Sequence, residues 1–269
     1  MAAGWKLDGR TALVTGGSRG LGYAIAQALR DRGANVAIIA RDDAAVKSAA
    51  SRLEGDSSSQ SVLPIVADVA DSESVQSALT QARDWQGRLD IVVNNAGPQL
   101  IPSSLADAEE HAVLSAFDTK LLGFLRVSQA ALPLLNQEGT GSIVNVAGAT
   151  AHALVPNTGV TGIVNAAVVA LTSFLASEAA PKNVRVNAIS PGMTKTEGWL
   201  AKNEMAAQQQ GKSPEEVRAS MVQMLGIRLG RWAEPSEIGA AAAFLASDDA
   251  SYMTGQVLRV DGGLSKPVA

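Results

Sequence analysis

The segment Thr15-Gly16-Gly17-Ser18-Arg19-Gly20-Leu21-Gly22 follows the short apolar run Ala12-Leu13-Val14. It leads into Tyr23-Ala-Ile-Ala-Gln-Ala-Leu-Arg30, where apolar residues recur at helical spacing. A strand, a glycine-rich turn and a helix together aim free backbone N–H groups at a diphosphate. The glycines allow positive φ and let a ligand approach the main chain closely. Glycine-rich turns of this kind also occur without a ligand, so the remaining chain must decide.

Outward from that turn, short β-rich runs alternate with helical patterns. Strands are expected at 12–15, 36–40, 62–67, 91–94, 142–146, 185–189 and 257–260. Helices are expected near 21–32, 43–54, 72–86, 107–136, 159–180 and 235–247. Repeated β-α-β units with continuous apolar strands imply a Rossmann-like, doubly wound parallel sheet of seven strands, with helices on both faces. Ligands then bind outside the carboxyl ends of the strands. No compositional break marks a second domain, so residues 1–269 read as one dinucleotide-binding domain. Gly55–Gln60 reads as a polar surface loop. Residues 193–233 form a long insertion before the last helix. Within it Ser213-Pro214-Glu215-Glu216 starts a helix with a capping hydroxyl and proline at the first position. Trp199, Met205, Met221 and Met224 give this insertion an apolar face, and it reads either as ordinary packing or as a substrate lid.

Composition excludes several alternatives. Of 269 residues, 46% are apolar and 18% charged, the balance of a globular chain with a buried sheet. A net charge of −4 without a basic run argues against nucleic acid as a partner. There are no cysteines, hence no disulfides and no thiolate chemistry. His111 and His152 lie too far apart for a metal-ligand spacing, so no metal is expected. The first ten residues lack a signal-type apolar segment, and the apolar stretches read as too short to span a bilayer. A cytoplasmic protein is expected.

These residues resemble the short-chain dehydrogenase/reductase family over essentially the whole chain. Gly16, Gly20 and Gly22 match its Thr-Gly-x3-Gly-x-Gly turn, and Asn94-Asn95-Ala96-Gly97 matches its motif after the fourth strand. Arg185 to Gly192 resembles its sixth strand and nicotinamide-contacting loop. Gly230-Arg-Trp-Ala-Glu-Pro235, Phe244–Ser247, Thr254-Gly255 and Val260-Asp-Gly-Gly263 match its closing segment. The resemblance implies a dinucleotide held by Gly16, Ser18, Arg19, Gly20, Leu21 and Gly22. Asp68 and Val69 would face the adenine, and Asn95, Ala96, Gly97, Pro191, Gly192 and Thr194 the remainder. It also implies a homodimer or homotetramer, with which the small residues Ala130-Ala131 and Ala166-Ala167 and the edge 257–260 are compatible.

Charge argues which dinucleotide binds. An acid ending the second strand would bond a ribose 2′-hydroxyl and repel a 2′-phosphate. This chain has Ala40 followed by Arg41 there, and Arg19 lies in the glycine turn. Two guanidinium forks suit a phosphate monoester. NADP(H) is expected over NAD(H).

The resemblance stops at the chemistry. The family uses Tyr-x3-Lys on its fifth helix, a serine after the fifth strand and an asparagine on the fourth helix. Here Thr161 occupies the tyrosine position, Asn165 the lysine position, Gly148 the serine position and Lys120 the asparagine region. Thr158, Thr161 and Asn165 are expected to form one polar stripe. A threonine hydroxyl is a very poor proton source near neutral pH. Lys120 and Asn165 look exchanged between helices, with Lys120 supplying a cation across the gap, unless they are merely a surface lysine and a tolerated asparagine. His152 is a second candidate proton donor. Three readings follow: an NADP(H)-dependent oxidoreductase acting on a small carbonyl or activated alkene with non-standard proton delivery; a redox-silent NADP(H)-binding sensor or partner subunit; and a non-redox lyase on the same scaffold.

Overall fold

The structure, a computed structural model, describes residues 5–55, 61–98, 104–135 and 141–265. The expected polar loop at 56–60 and the extreme N-terminus lie outside the described residues. Seven strands form the sheet: β1 (Thr11–Thr15), β2 (Asn35–Ala40), β3 (Val62–Val66), β4 (Ile91–Asn94), β5 (Gly141–Val146), β6 (Val184–Pro191) and β7 (Val257–Val260). Their order is β3-β2-β1-β4-β5-β6-β7, and every pairing is parallel. The winding reverses between β1 and β4. That places the mouth of the switch point beside the glycine turn and Asn94–Gly97.

Nine α-helical segments follow in chain order among the described residues: α1 (Gly20–Arg30), α2 (Asp43–Glu54), α3 (Ser72–Gln86), α4 (Glu110–Ala116), α5 (Gly123–Ala131), α6 (Gly159–Ala179), α7 (Glu197–Gln210), α8 (Pro214–Leu225) and α9 (Pro235–Ala246). Strand side chains alternate between two cores, as a period of two requires. Val14, Ile38, Val93, Val144 and Ile189 pack with Ile25 and Leu29 of α1 and Ile238 and Leu245 of α9. Leu13, Ala37, Val92, Ile143 and Val186 pack on the opposite face with Val75 and Leu79 of α3 and Leu175 of α6. Because both faces are covered, the strands carry no polar alternation.

A buried polar ladder crosses the second core. Asn94 donates to Asn145 (2.9 Å) and to Ser128 (3.1 Å). Asn145 in turn donates to Thr172 (2.9 Å), whose hydroxyl donates to the Val168 carbonyl. These bonds fix β4, β5 and α6 relative to one another. An apolar contact of the same size lacks that directionality.

Three sequence expectations change. The helix expected at 107–136 is broken: between α4 and α5, Phe117–Leu122 form a π-helical segment, and the Gly123 N–H donates to the Asp118 carbonyl five residues back. Residue 136 lies outside the described part. Helix α7 was not anticipated, because Glu197–Gln210 has no amphipathic stripe for periodicity to find. The apolar stretches are also longer than expected: Gly159–Lys182 has the length and composition to cross a bilayer. Here α6 instead lies against β6 with Val164, Val168 and Leu175 buried, and its outer face carries exposed Ile163 and Phe174.

Candidate active site

The glycine turn is held by the end of β4. The Thr15 hydroxyl accepts the N–H groups of Asn95 (2.9 Å) and Ala96 (3.1 Å), and the Asn95 amide donates to the carbonyls of Thr15 and Gly16. Gly16 and Gly20 adopt φ of +65° and +57°. A Cβ on Gly22 would lie 2.1 Å from the Gly16 carbonyl oxygen, so only glycine lets the helix start this close to the turn. Arg19 precedes α1 without capping it, which leaves the first-turn N–H groups free of a side-chain cap. Such a cradle, with its partial positive charge and no Cβ to fill it, fits the diphosphate of a dinucleotide.

Around the cradle, Asp68 accepts the Ala70 N–H, which orients its carboxylate, and Val69 is buried beside it. Arg19 and Arg41 are exposed and form no ion pair among the described residues. Asp42, the nearest acid after β2, is occupied as the cap of α2, accepting from Ala45 (2.7 Å). A third cation, not anticipated from the sequence, reaches the same corner. Arg52 projects from the last turn of α2, stacks over the Tyr23 ring at 4.9 Å and donates to the Ser18 carbonyl. Thirty-four residues separate Arg52 from Ser18, and no local pattern signals the contact.

At the other side of the switch point lies a polar cluster of Lys120, Asn165 and Thr150. Lys120 sits in the π-helical segment and its stem runs alongside Gly97. Its ammonium donates to the Ala147 carbonyl (2.9 Å) and to Asn165 Oδ1 (2.7 Å). No carboxylate pairs with it among the described residues, and burial lowers its pKa from 10.5 to about 8. Asn165 is 2% exposed, and its Nδ2 donates to the Thr150 hydroxyl (2.8 Å). Thr150 lies on the single helical turn that follows β5 (Ala149–Ala151) and was not singled out in the sequence. Gly148 is the hinge of this arrangement, because a Cβ there would sit 2.5 Å from Asn165 Nδ2.

Other expected site residues are placed less centrally. Thr158 ends up before α6 with φ −120° and ψ 23°, and its hydroxyl donates to the Val155 carbonyl. It therefore leaves the polar stripe expected with Thr161 and Asn165. Thr161 stands one helical turn before Asn165. His152 has a buried Nε2 without a hydrogen-bond partner among the described residues, and burial together with the nearby Arg259 lowers its pKa despite Asp261. It is consequently neutral at pH 7. The Thr194 hydroxyl turns back onto the Gly192 carbonyl (3.0 Å).

The insertion at 193–233 reaches the glycine turn and the turn after β5. Thr196 packs 3.9 Å from where a Gly20 Cβ would stand. Trp199 and Trp232 meet edge-on at 6.3 Å, within a cluster that includes Met193, Met221 and Ala149. The expected capping box is present, with Ser213 and Glu216 bonding reciprocally.

A glycine cradle at the switch point of a doubly wound parallel sheet defines a nucleotide-dependent α/β enzyme scaffold. A family model described as Enoyl-(Acyl carrier protein) reductase matches residues 16–265. The Oxidoreductase UcpA of Salmonella typhimurium is 38% identical over 264 residues, 97% of each chain. The 3-oxoacyl-acyl-carrier-protein reductase FabG of Chlamydia muridarum is 34% identical over 264 residues, 96% of this chain and 98% of its own. Among solved structures, L-sorbose reductase from Gluconobacter frateurii, complexed with NADPH and L-sorbose, superposes with a TM-score of 0.91 at 27% identity, covering 98% and 99% of the two chains. The chain belongs to the short-chain dehydrogenase/reductase family and is an oxidoreductase of that type. The family binds a nicotinamide cofactor, which the cradle fits.

Proposed function

We propose that this protein is an NADP(H)-dependent oxidoreductase for a small carbonyl compound or activated alkene, working without the family's Tyr-x3-Lys pair. The observation that carries this reading is the 2.7 Å bond from Lys120 to Asn165. It returns a cation and an amide to the region where the family has a lysine and an asparagine, with the two residue types exchanged between helices. Gly148 makes room for Asn165, and Asn165 turns its remaining donor to Thr150. Four positions that fit one another argue against simple decay to a redox-silent binding protein.

When bound, the nicotinamide supplies or accepts a hydride. Gly16, Ser18, Gly20, Leu21 and Gly22 would hold the diphosphate, and Asp68 and Val69 the adenine. Arg19 and Arg41 would take the 2′-phosphate, and Asn95, Ala96, Gly97, Pro191, Gly192 and Thr194 would line the nicotinamide half. The neighbour crystallised with NADPH supports the choice of dinucleotide. Lys120 holds positive charge beside the reacting region, Asn165 orients it, and Thr161 adds a hydroxyl on the same helix face. His152, being neutral, is the weaker proton source. Residues 193–233 would exclude water as a lid. The chain would act in the cytoplasm as a homodimer or homotetramer through the outer face of α6 and the open edge of β7. Ala131, expected at such an interface, is buried in the protein's own core.

Calorimetric titration with NADPH and NADH, followed by NADPH oxidation with a panel of ketones, diketones and enones, tests the reading. Tight NADPH binding with turnover supports it. Tight binding with no turnover on any compound would favour the sensor reading instead.

A further inference from the structure

The direction of the hydrogen bonds around Asn165 has a chemical consequence. A lysine ammonium can only donate, so Asn165 must present its oxygen to Lys120 and its NH2 to Thr150. The amide cannot be flipped without facing two donors together. Thr150 Oγ1 is therefore an acceptor in this bond, and its own O–H is left to donate. Among the described residues no acceptor is recorded for that O–H. The side chain is half-buried, packs against the first turn of α6 at Gly162, and lies two residues beyond Gly148.

We propose that the Thr150 hydroxyl is the donor that binds the substrate oxygen, with Asn165 and Lys120 as positioning residues behind it. The inference rests on the oxidoreductase reading above and adds a residue to it. A chain of donors running from a cation strengthens its terminal hydrogen bond, because each bond polarises the next. The Lys120 charge thus reaches the Thr150 O–H through the Asn165 amide and favours an oxygen on which negative charge develops.

The test compares wild type, Thr150→Val and Thr150→Ser for NADPH oxidation with 2,3-butanedione and with 2-cyclohexen-1-one, alongside NADPH binding by calorimetry. Valine preserves shape and exchanges the hydroxyl for a methyl, removing both the donor and the acceptor for Asn165. The expected result is a loss of about 100-fold in kcat for Thr150→Val, with NADPH affinity unchanged, and recovery to within a few-fold in Thr150→Ser. Wild-type kcat in Thr150→Val would overturn the proposal while leaving the oxidoreductase reading intact. So would an equal loss of NADPH affinity, which would make the residue structural. A wild-type protein that binds NADPH and turns over neither compound would count against both readings together.

Discussion

Asn165 fills the space that a side chain at position 148 would need: a Cβ on Gly148 would lie 2.5 Å from its Nδ2. The amide that enters this space bonds Lys120 on one side and Thr150 on the other. The glycine and the asparagine are therefore one structural choice made at two positions.

Placing serine at 148 should consequently harm the protein on its own. Gly148→Ser is expected to destabilise by about 1–3 kcal/mol, the usual cost of overpacking. Asn165→Ala should recover much of that loss by vacating the space. Urea unfolding of the two single variants and the double variant gives the coupling directly. Additive single effects would contradict the interlock.

Lys120 sets a pH dependence of stability whose sign follows from its pKa. The group titrates near 8 when folded, against 10.5 as its ordinary value. Between those values the unfolded chain binds one more proton, so stability rises with pH. Below about pH 8 both states are charged and the full desolvation cost is present; above 10.5 both are neutral. The stability difference between Lys120→Met and wild type should therefore shift in favour of wild type as pH rises from 8 to 10. A difference that stays flat over this range would rule out a depressed Lys120 pKa.

Arg41 and Arg19 should separate the two dinucleotides. A charge-assisted bond to phosphate contributes about 1.5–3 kcal/mol, so Arg41→Ala should weaken NADPH roughly 10- to 100-fold and leave NADH nearly unchanged. Arg52→Ala should act less strongly, because its guanidinium already serves Ser18 and Tyr23. Isothermal titration at two salt concentrations measures all three. Equal losses for both dinucleotides would show that these arginines do not read the 2′-phosphate.

The glycine cradle should tolerate no side chain at its tightest point. Gly22→Ala places a methyl 2.1 Å from the Gly16 oxygen and 2.5 Å from the Asn95 amide, two groups fixed by β4. Dinucleotide binding should disappear, and thermal unfolding should shift downward. Retained NADPH affinity in a folded Gly22→Ala protein would remove the cradle from its assigned role.

Trp232 should anchor the 193–233 insertion, the proposed lid. It is 2% exposed and meets Trp199 edge-on. Trp232→Ala is expected to cost about 3–5 kcal/mol and to raise KM more than it lowers NADPH affinity. Unfolding curves and steady-state kinetics on the same preparation check both parts.

The amino-acid sequence by itself determined the seven strands, most of the helices between them, the parallel sheet and the glycine cradle, because each follows from local periodicity and from glycine's access to positive φ. It also pointed to Gly148, Thr161, Asn165 and Lys120 as the residues to follow, because the resemblance implies other residue types at those positions. Only the tertiary structure decided which of those residues meet. Lys120 and Asn165 are 45 residues apart, and their bond depends on a π-helical segment that propensity does not announce. Thr150 meets the Asn165 amide, and Arg52 the carbonyl of Ser18, likewise across gaps in sequence. Helix α7 left no periodic trace, since its stability comes from packing against neighbours rather than from an apolar stripe of its own. Contacts between distant segments are set by how the layers stack, and a one-dimensional pattern records the layers without recording which side chains meet across them.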